Sequence, residues 1–291
     1  MLTYSASYTV DVTYRCAKRC GYCEYRTDEG GLVDWATIDA QLEEAARLGG
    51  REVLIMSGEQ PWLLPDLDLR DEAVFVDRVI EICRRAMSRG LLPHVNVGLL
   101  TYGSLQRLKP WSPSMGLMLE SGTDELRAHA NGGGKRVADR LRHIEGAGLL
   151  HIPFTTGILI GIGESRLDRE RALRMIAEVQ QRHGHVQEVI VQNFVPKPAT
   201  PMQDLPGATL DDMVDTVRMA REILPESIAI QVPPNLVEDG WLSLVQAGAR
   251  DLGGVSANGD SVSPSLPWEP VQRMREKAES IGFMLHPRIS P

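Results

Sequence analysis

The chain has 291 residues, of which 43% are hydrophobic, enough to bury the core of one large globular domain spanning 1–291. Asp and Glu outnumber Lys and Arg by 39 to 31, and the net charge of −8 argues against broad binding to a phosphate backbone, which needs clustered cations. Met1 to Tyr4 offers neither a basic start nor an apolar run of signal-peptide type. No later apolar run approaches the roughly 20 residues of a membrane span, so a soluble, cytoplasmic chain without nucleic-acid or membrane partners is expected.

The first expected strand, Tyr8 to Thr13, leads into Cys16-Ala17-Lys18-Arg19-Cys20-Gly21-Tyr22-Cys23, which places three thiols within eight residues. Thiols spaced C-x3-C-x2-C can meet one face of an iron-sulfide cube if the backbone loops back, and Gly21 is expected to supply that freedom. Ordinary electron-transfer clusters use four thiolates. Three leave one iron open to another ligand. A zinc site usually wants a second ligand pair at similarly short spacing. The remaining cysteine, Cys83, falls in a helical pattern with Val79, Ile80, Ala86 and Met87 and reads as a buried small hydrophobe. A disulfide framework is disfavoured in a chain this long without a signal peptide.

Downstream, Asp34 caps an expected helix with Ile38, Leu42, Ala45 and Leu48 on one face, ended by Gly49-Gly50. Val53 to Met56 then reads as a buried parallel strand. The alternation continues with a helix from Asp71 to Gly90, a strand His94 to Val97, a short helix Ser104 to Leu108 and a strand Met115 to Leu119. One helix, or two broken by Gly132-Gly133-Gly134, runs to Gly146. Further strands are expected at Phe154 to Ile160, Val189 to Phe194, Ile228 to Val232 and Leu252 to Val255. Ser165 with Asp168, and Thr209 with Asp212, resemble capping boxes with Asp in place of Glu. Short and final helices fall at Trp241 to Ala247 and Glu269 to Ile281. Strand-helix alternation without hairpin signals implies right-handed crossovers and an α/β fold. Eight units make it a parallel (β/α)8 TIM-type barrel, closed or nearly closed, with chemistry at the C-terminal strand ends.

Those ends carry candidate residues. Ser57-Gly58-Glu59 follows the second strand, where a carboxylate can accept from an ammonium and small residues admit close backbone approach; a plain turn is the other reading. Glu120 ends the fourth strand, and the alternative for it is a solvated strand end. In Gly157-Ile158-Leu159-Ile160-Gly161-Ile162-Gly163-Glu164 the glycines weaken a strand unless something must come close, and a flat ring such as adenine would do so. No G-x-G-x-x-G follows the first strand, which removes a dinucleotide-binding reading. Asn96, Thr155, Thr156, Gln192, Asn193, Gln231 and Asn235 offer paired donors and acceptors for a polar small molecule, or are satisfied core polars.

The cysteine spacing with Tyr22 before Cys23 resembles the radical S-adenosylmethionine (SAM) superfamily. That resemblance implies a [4Fe-4S] cluster on Cys16, Cys20 and Cys23, whose open iron chelates SAM and whose electron splits it into methionine and a deoxyadenosyl radical. It further implies SAM contacts from Tyr22, from Ser57-Gly58-Glu59 (Gly-Gly-Glu being the usual form), from Glu120 at the ribose, and from Gly157, Leu159, Gly161 and Gly163 near the adenine. Thr13 to Thr27, Met115 to Ser121, Ile152 to Ser165, Gln231 to Leu236 and Gly248 to Gly254 are similar to the CofG-type subunit of deazaflavin synthase. The stretch Arg127 to Arg136 is looser than that family's, and Pro291 comes sooner than its tail. The implied activity is radical carbon-nitrogen lysis. It closes the deazaflavin ring of 7,8-didemethyl-8-hydroxy-5-deazariboflavin from a tyrosine-ribitylaminouracil adduct, with loss of ammonia. The implied partners are a CofH-type subunit or its released product and an electron donor. A menaquinone-pathway or biotin-synthase relative, and an iron-sulfur protein that only carries electrons, are the other readings.

Overall fold

In the computed structural model, residues 1–130, 133–256, 259, 263 and 265–288 are described. Eight parallel strands form a ring: β1 (Leu2–Asp11), β2 (Glu52–Met56), β3 (Leu92–Asn96), β4 (Ser114–Gly116), β5 (Phe154–Ile160), β6 (Val186–Asn193), β7 (Ala229–Gln231) and β8 (Asp251–Ser256). They are hydrogen-bonded in that order, and β1 pairs with both β8 and β2, which closes the barrel. Around it lie α1 (Trp35–Arg47), α2 (Glu72–Ser88), α3 (Tyr102–Leu108), α4 (Val137–Leu149), α5 (Arg166–His183), α6 (Leu210–Ile223), α7 (Trp241–Ala247) and α8 (Val271–Ser280). Among the described residues no helix is long and apolar enough to cross a membrane.

Local chemistry explains the helix starts. Asp34 accepts from Thr37 N at 2.9 Å. Both Ser165/Asp168 and Thr209/Asp212 form reciprocal capping boxes, so Asp does the work of Glu at that position. Gly184, at φ 68, ends α5 in the left-handed region.

Alternation along β1 decides where the core lies. Leu2, Tyr4, Tyr8 and Val10 belong to the main apolar cluster with the helices. The residues between them face inward: Thr3 donates to Asp251, and Ser5 donates to Glu52 Oε1 at 3.2 Å. The apolar core is therefore the annulus between strands and helices, and the barrel floor, at the N-terminal strand ends, is polar.

Several expectations are corrected. The first strand begins at Leu2 rather than Tyr8, because its small polar residues are interior positions. The fourth strand is regular only over Ser114–Gly116, although Leu117 N still donates to Thr155 O and Glu120 N to Gly157 O. Among the described residues between Arg127 and Arg136 there is a 3-10 turn, Arg127–His129, before α4; Gly132 of the expected helix break lies outside the described residues. A ninth strand, β9 (Leu285–Arg288), pairs with Leu2–Ser5 of β1, on the edge that β2 uses further along. Its register brings Arg288 to the barrel floor, where it donates to both carboxylate oxygens of Asp251 and pairs with Glu188.

Candidate active site

The cysteine loop is built onto the end of β2. Gly58 N donates to Thr13 O, Ala17 N to Glu59 O, and Glu59 N to Cys16 Sγ at 3.1 Å. A Cβ on Gly58 would lie 2.1 Å from Arg15 O and 2.7 Å from Cys16 Cβ. Glycine is thus required at position 58 by the cysteine loop itself, while Ser57 Oγ turns back onto Gly58 O. Gly21, expected to supply backbone freedom, is not at positive φ. Its N–H donates to Ala128 O, its carbonyl accepts from Met202 N, and a Cβ would press on Met202 at 3.1 Å. Close packing, not a left-handed turn, explains that glycine.

Cys16, Cys20 and Cys23 are half-buried and free, whereas Cys83 is wholly buried on α2 within the core. Burial pushes the Cys16 thiol up to about 11 despite the N–H groups of Glu59 and Lys18, and it raises Cys20 as well. Among the described residues no three His, Cys, Asp or Glu side chains gather closely enough to hold a single metal ion. A cubane asks for something else, one thiolate at each of three separate iron corners. Half-buried thiols on a loop with backbone N–H groups donating to sulfur fit that requirement, and the cluster's positive charge would reverse the penalty on the thiolates.

Next to the loop lies a buried charge cluster. Glu59 Oε2 accepts from Arg140 Nη1 at 2.8 Å, and both side chains are less than a tenth exposed. Glu120 Oε1 contacts Lys135 Nζ and lies 3.8 Å from Arg140 Nη2. Lys135 also donates to Tyr22 OH at 3.2 Å, and that hydroxyl is 3.1 Å from His129 Nε2. Burial alone would raise both carboxyls, but Arg140 and Lys135 outweigh it and hold Glu59 and Glu120 below the usual carboxylate range. Burial lowers His129 to about 4, so it is neutral.

Glu59 Oε1 is buried with no hydrogen-bond partner among the described residues. An orphaned oxygen on an ionised carboxylate is costly unless a ligand completes it, and an ammonium fits. Glu120 sits at φ 74, a strained conformation that places its carboxylate beside Lys135 rather than along the strand. The cysteines, Glu59 and Glu120 are therefore brought together as the sequence suggests. Arg140, Lys135 and His129 were not anticipated; the available signal was that two buried carboxylates demand nearby cations.

The glycines within and just after β5 divide. A Cβ on Gly157 would meet Ile190 O at 2.4 Å and one on Gly161 would meet Ala208 N at 2.8 Å, so neighbouring backbone occupies those spaces. Gly163, at φ 104, has nothing within 4 Å and borders a groove of about 620 Å³. Leu159 packs with Ile162, Phe194, Met202 and Tyr22.

The polar candidates also separate. Thr155 faces the interior and donates to Glu188 Oε2 at 3.1 Å. Thr156 points the other way: it shares a face with Phe154, whose ring lies 5.9 Å from His143 on α4, so it belongs to the helix side and not to the site. Asn96 approaches Gly116 within the barrel, and Gly253, at φ 77, leaves room for the Gln231 amide. Gln192 and Asn193 line a common slot beside Tyr22 and Cys23. Asn193 Nδ2 donates to Leu236 O and Asn235 Nδ2 to Leu266 O, so those two also tie loops together.

A closed parallel barrel with a three-cysteine loop at the strand ends and a buried acceptor beside it defines the class to which this chain's comparisons point. Residues 10–176 match the family described as "Radical SAM superfamily". A protein from Archaeoglobus fulgidus named 7,8-didemethyl-8-hydroxy-5-deazariboflavin synthase is 44% identical over 99% of this chain and 90% of its own length. One of the same name from Methanococcoides burtonii is 43% identical over 96% and 87%. The crystal structure of methylornithine synthase (PylB) superposes with a TM-score of 0.73 at 16% identity, covering 99% of this chain and 84% of that one, a likeness of fold. The chain belongs to the radical SAM superfamily and, within it, to the family of the 7,8-didemethyl-8-hydroxy-5-deazariboflavin synthases.

Proposed function

We propose that this radical SAM enzyme is a carbon-nitrogen lyase of deazaflavin synthesis, closing the central ring from a tyrosine-ribitylaminouracil adduct with loss of ammonia. The observation that carries the reading is the relationship at 44% identity across nearly the whole chain to proteins bearing that synthase name. When bound, the cluster and SAM supply a hydrogen-abstracting radical. The chain's own residues do the rest. Cys16, Cys20 and Cys23 hold the cluster. Glu59 Oε1 receives the SAM ammonium, with Arg140 beside it to balance charge, and Glu120 takes the ribose hydroxyls. Tyr22, Leu159 and the backbone at Ser57 and Gly163 surround the adenosyl group.

Asn96, Thr155, Gln192 and Gln231 face the barrel interior and would hold the adduct by its amide edges and hydroxyls, while the polar floor around Arg288 closes the far end. Fixing the target hydrogen near the radical and excluding water are what such a reaction needs, since a misplaced radical attacks the protein. A partner of CofH type would supply the adduct, and an electron donor would reduce the cluster. Reduced, cluster-loaded protein given SAM and the adduct should yield deoxyadenosine and a fluorescent deazaflavin. Deoxyadenosine at only the adduct-independent rate, with no deazaflavin, overturns the lyase reading. A biotin-synthase or menaquinone-pathway relative would then be the better description.

A further inference from the structure

Two acceptor oxygens beside the cysteine loop, Glu24 Oε2 and Asn193 Oδ1, are buried without a hydrogen-bond partner among the described residues. Glu24 follows Cys23 directly, and Asn193, only 4% exposed, ends β6. Both side chains are held from behind. Asn193 Nδ2 donates to Leu236 O at 2.9 Å, and since a carbonyl only accepts, the amide nitrogen is committed there and Oδ1 is left for something else. Glu24 Oε2 lies 3.6 Å from Lys197 Nζ, too far for a hydrogen bond but close enough to pair with the ammonium, which donates to Ser263 Oγ. Buried acceptors without donors are costly, so these two mark a place that a ligand or water completes.

Glu24 and Asn193 line one slot of about 60 Å³ with Tyr22, Leu159 and Phe194. Those last three pack in a single apolar cluster, which gives the slot walls for the faces of a flat ring. Its volume is below the roughly 150 Å³ that takes up a benzene, so the edge of a ring enters rather than a whole nucleoside. Two acceptors decide what that edge carries. A carbonyl oxygen or an unprotonated ring nitrogen would set lone pairs against lone pairs, and a hydroxyl has one hydrogen to give. An amino group on an aromatic ring has two, spread in the ring plane, one for each oxygen. Adenine carries such a group.

We propose that Asn193 Oδ1 and Glu24 Oε2 each accept one hydrogen of the exocyclic amino group of SAM's adenine, so that these side chains select an aminopurine over an oxopurine. This rests on the SAM roles of Tyr22 and Leu159. The test is calorimetric binding of SAM and of its deaminated analogue, in which a 6-oxo group replaces the 6-amino group, to unreduced, cluster-loaded wild type, Glu24→Ala and Asn193→Ala, with iron content measured in parallel. Wild type should bind SAM about 30-fold or more tightly than the analogue, and each variant should bring that ratio down about tenfold at unchanged iron content. A merely structural role would weaken both ligands alike and leave the ratio where it was, which overturns the assignment. Equal affinity of wild type for the two ligands also overturns it and leaves water as the partner of both oxygens. Where loss of the Leu236 tie disturbs folding of Asn193→Ala, Glu24→Ala alone carries the test. Failure of wild type to bind SAM at all overturns the cofactor reading itself, a result visible without the analogue.

Discussion

Arg140 reaches from α4 to donate to Glu59 at the end of β2, across 81 residues of sequence, and the pair is buried beside the cysteine loop. The same guanidinium donates from Nε to Met118 O, so one side chain ties the second and fourth strand ends together. Removing it strands an ionised carboxylate in a dry site. Arg140→Met should lose about 3–5 kcal/mol of folding stability, the usual cost of breaking a buried pair, measurable by urea unfolding. A loss under about 1 kcal/mol would mean that the pair is solvated in solution.

Glu59 and Glu120 should each matter to SAM separately from the cluster. Glu59→Gln or Glu120→Gln is expected to weaken SAM by about 1.5–3 kcal/mol, as when a charge-assisted hydrogen bond is lost, with the cluster's absorption spectrum unchanged. Undiminished affinity in both variants would remove the SAM roles assigned to them.

Gly58 offers a test of how the loop is built. Since a Cβ there would collide with Arg15 O at 2.1 Å, Gly58→Ala should displace the cysteine loop and lower iron incorporation. Cys83→Ala, buried on α2, should keep about four irons per chain. Iron loss from the Cys83 variant with a full complement in the Gly58 variant would reverse both assignments.

The barrel floor sets a pH dependence. Burial, aided by Asp251 and Glu52 and opposed by Arg288, raises the Glu188 carboxyl to about 8. Folded protein thus keeps a proton that the unfolded chain has lost, so stability is highest below the unfolded carboxylate range and falls as pH rises toward 8. Glu188→Gln should flatten that decline in denaturation measured from pH 5 to 8. An unchanged slope would place the folded-state proton elsewhere.

What could be read from the sequence was local. The cysteine spacing, the capping boxes at Ser165 and Thr209, and the strand-helix alternation depend on near neighbours, and the fold follows from them. What escaped was set by distant packing. Arg140 and Lys135 sit where helical propensity and loop composition say nothing about Glu59 or Glu120. β9 is a four-residue strand containing Pro287, and proline argues against a strand unless it lies at an edge, as here. Gly58 and Gly157 were expected to make room for ligand, yet chain packs against both. Thr156 was misplaced because adjacent strand residues face opposite ways, and Phe154's contact with His143, with Thr155's bond to Glu188, shows which side is inward.

The most direct measurement is the ratio of products from reduced, cluster-loaded enzyme supplied with SAM and the tyrosine-ribitylaminouracil adduct, quantifying ammonia, deazaflavin and deoxyadenosine together. Ring closure by carbon-nitrogen lysis requires one ammonia for each deazaflavin, with deoxyadenosine formation rising when the adduct is added. Deazaflavin without matching ammonia, or deoxyadenosine indifferent to the adduct, would contradict it.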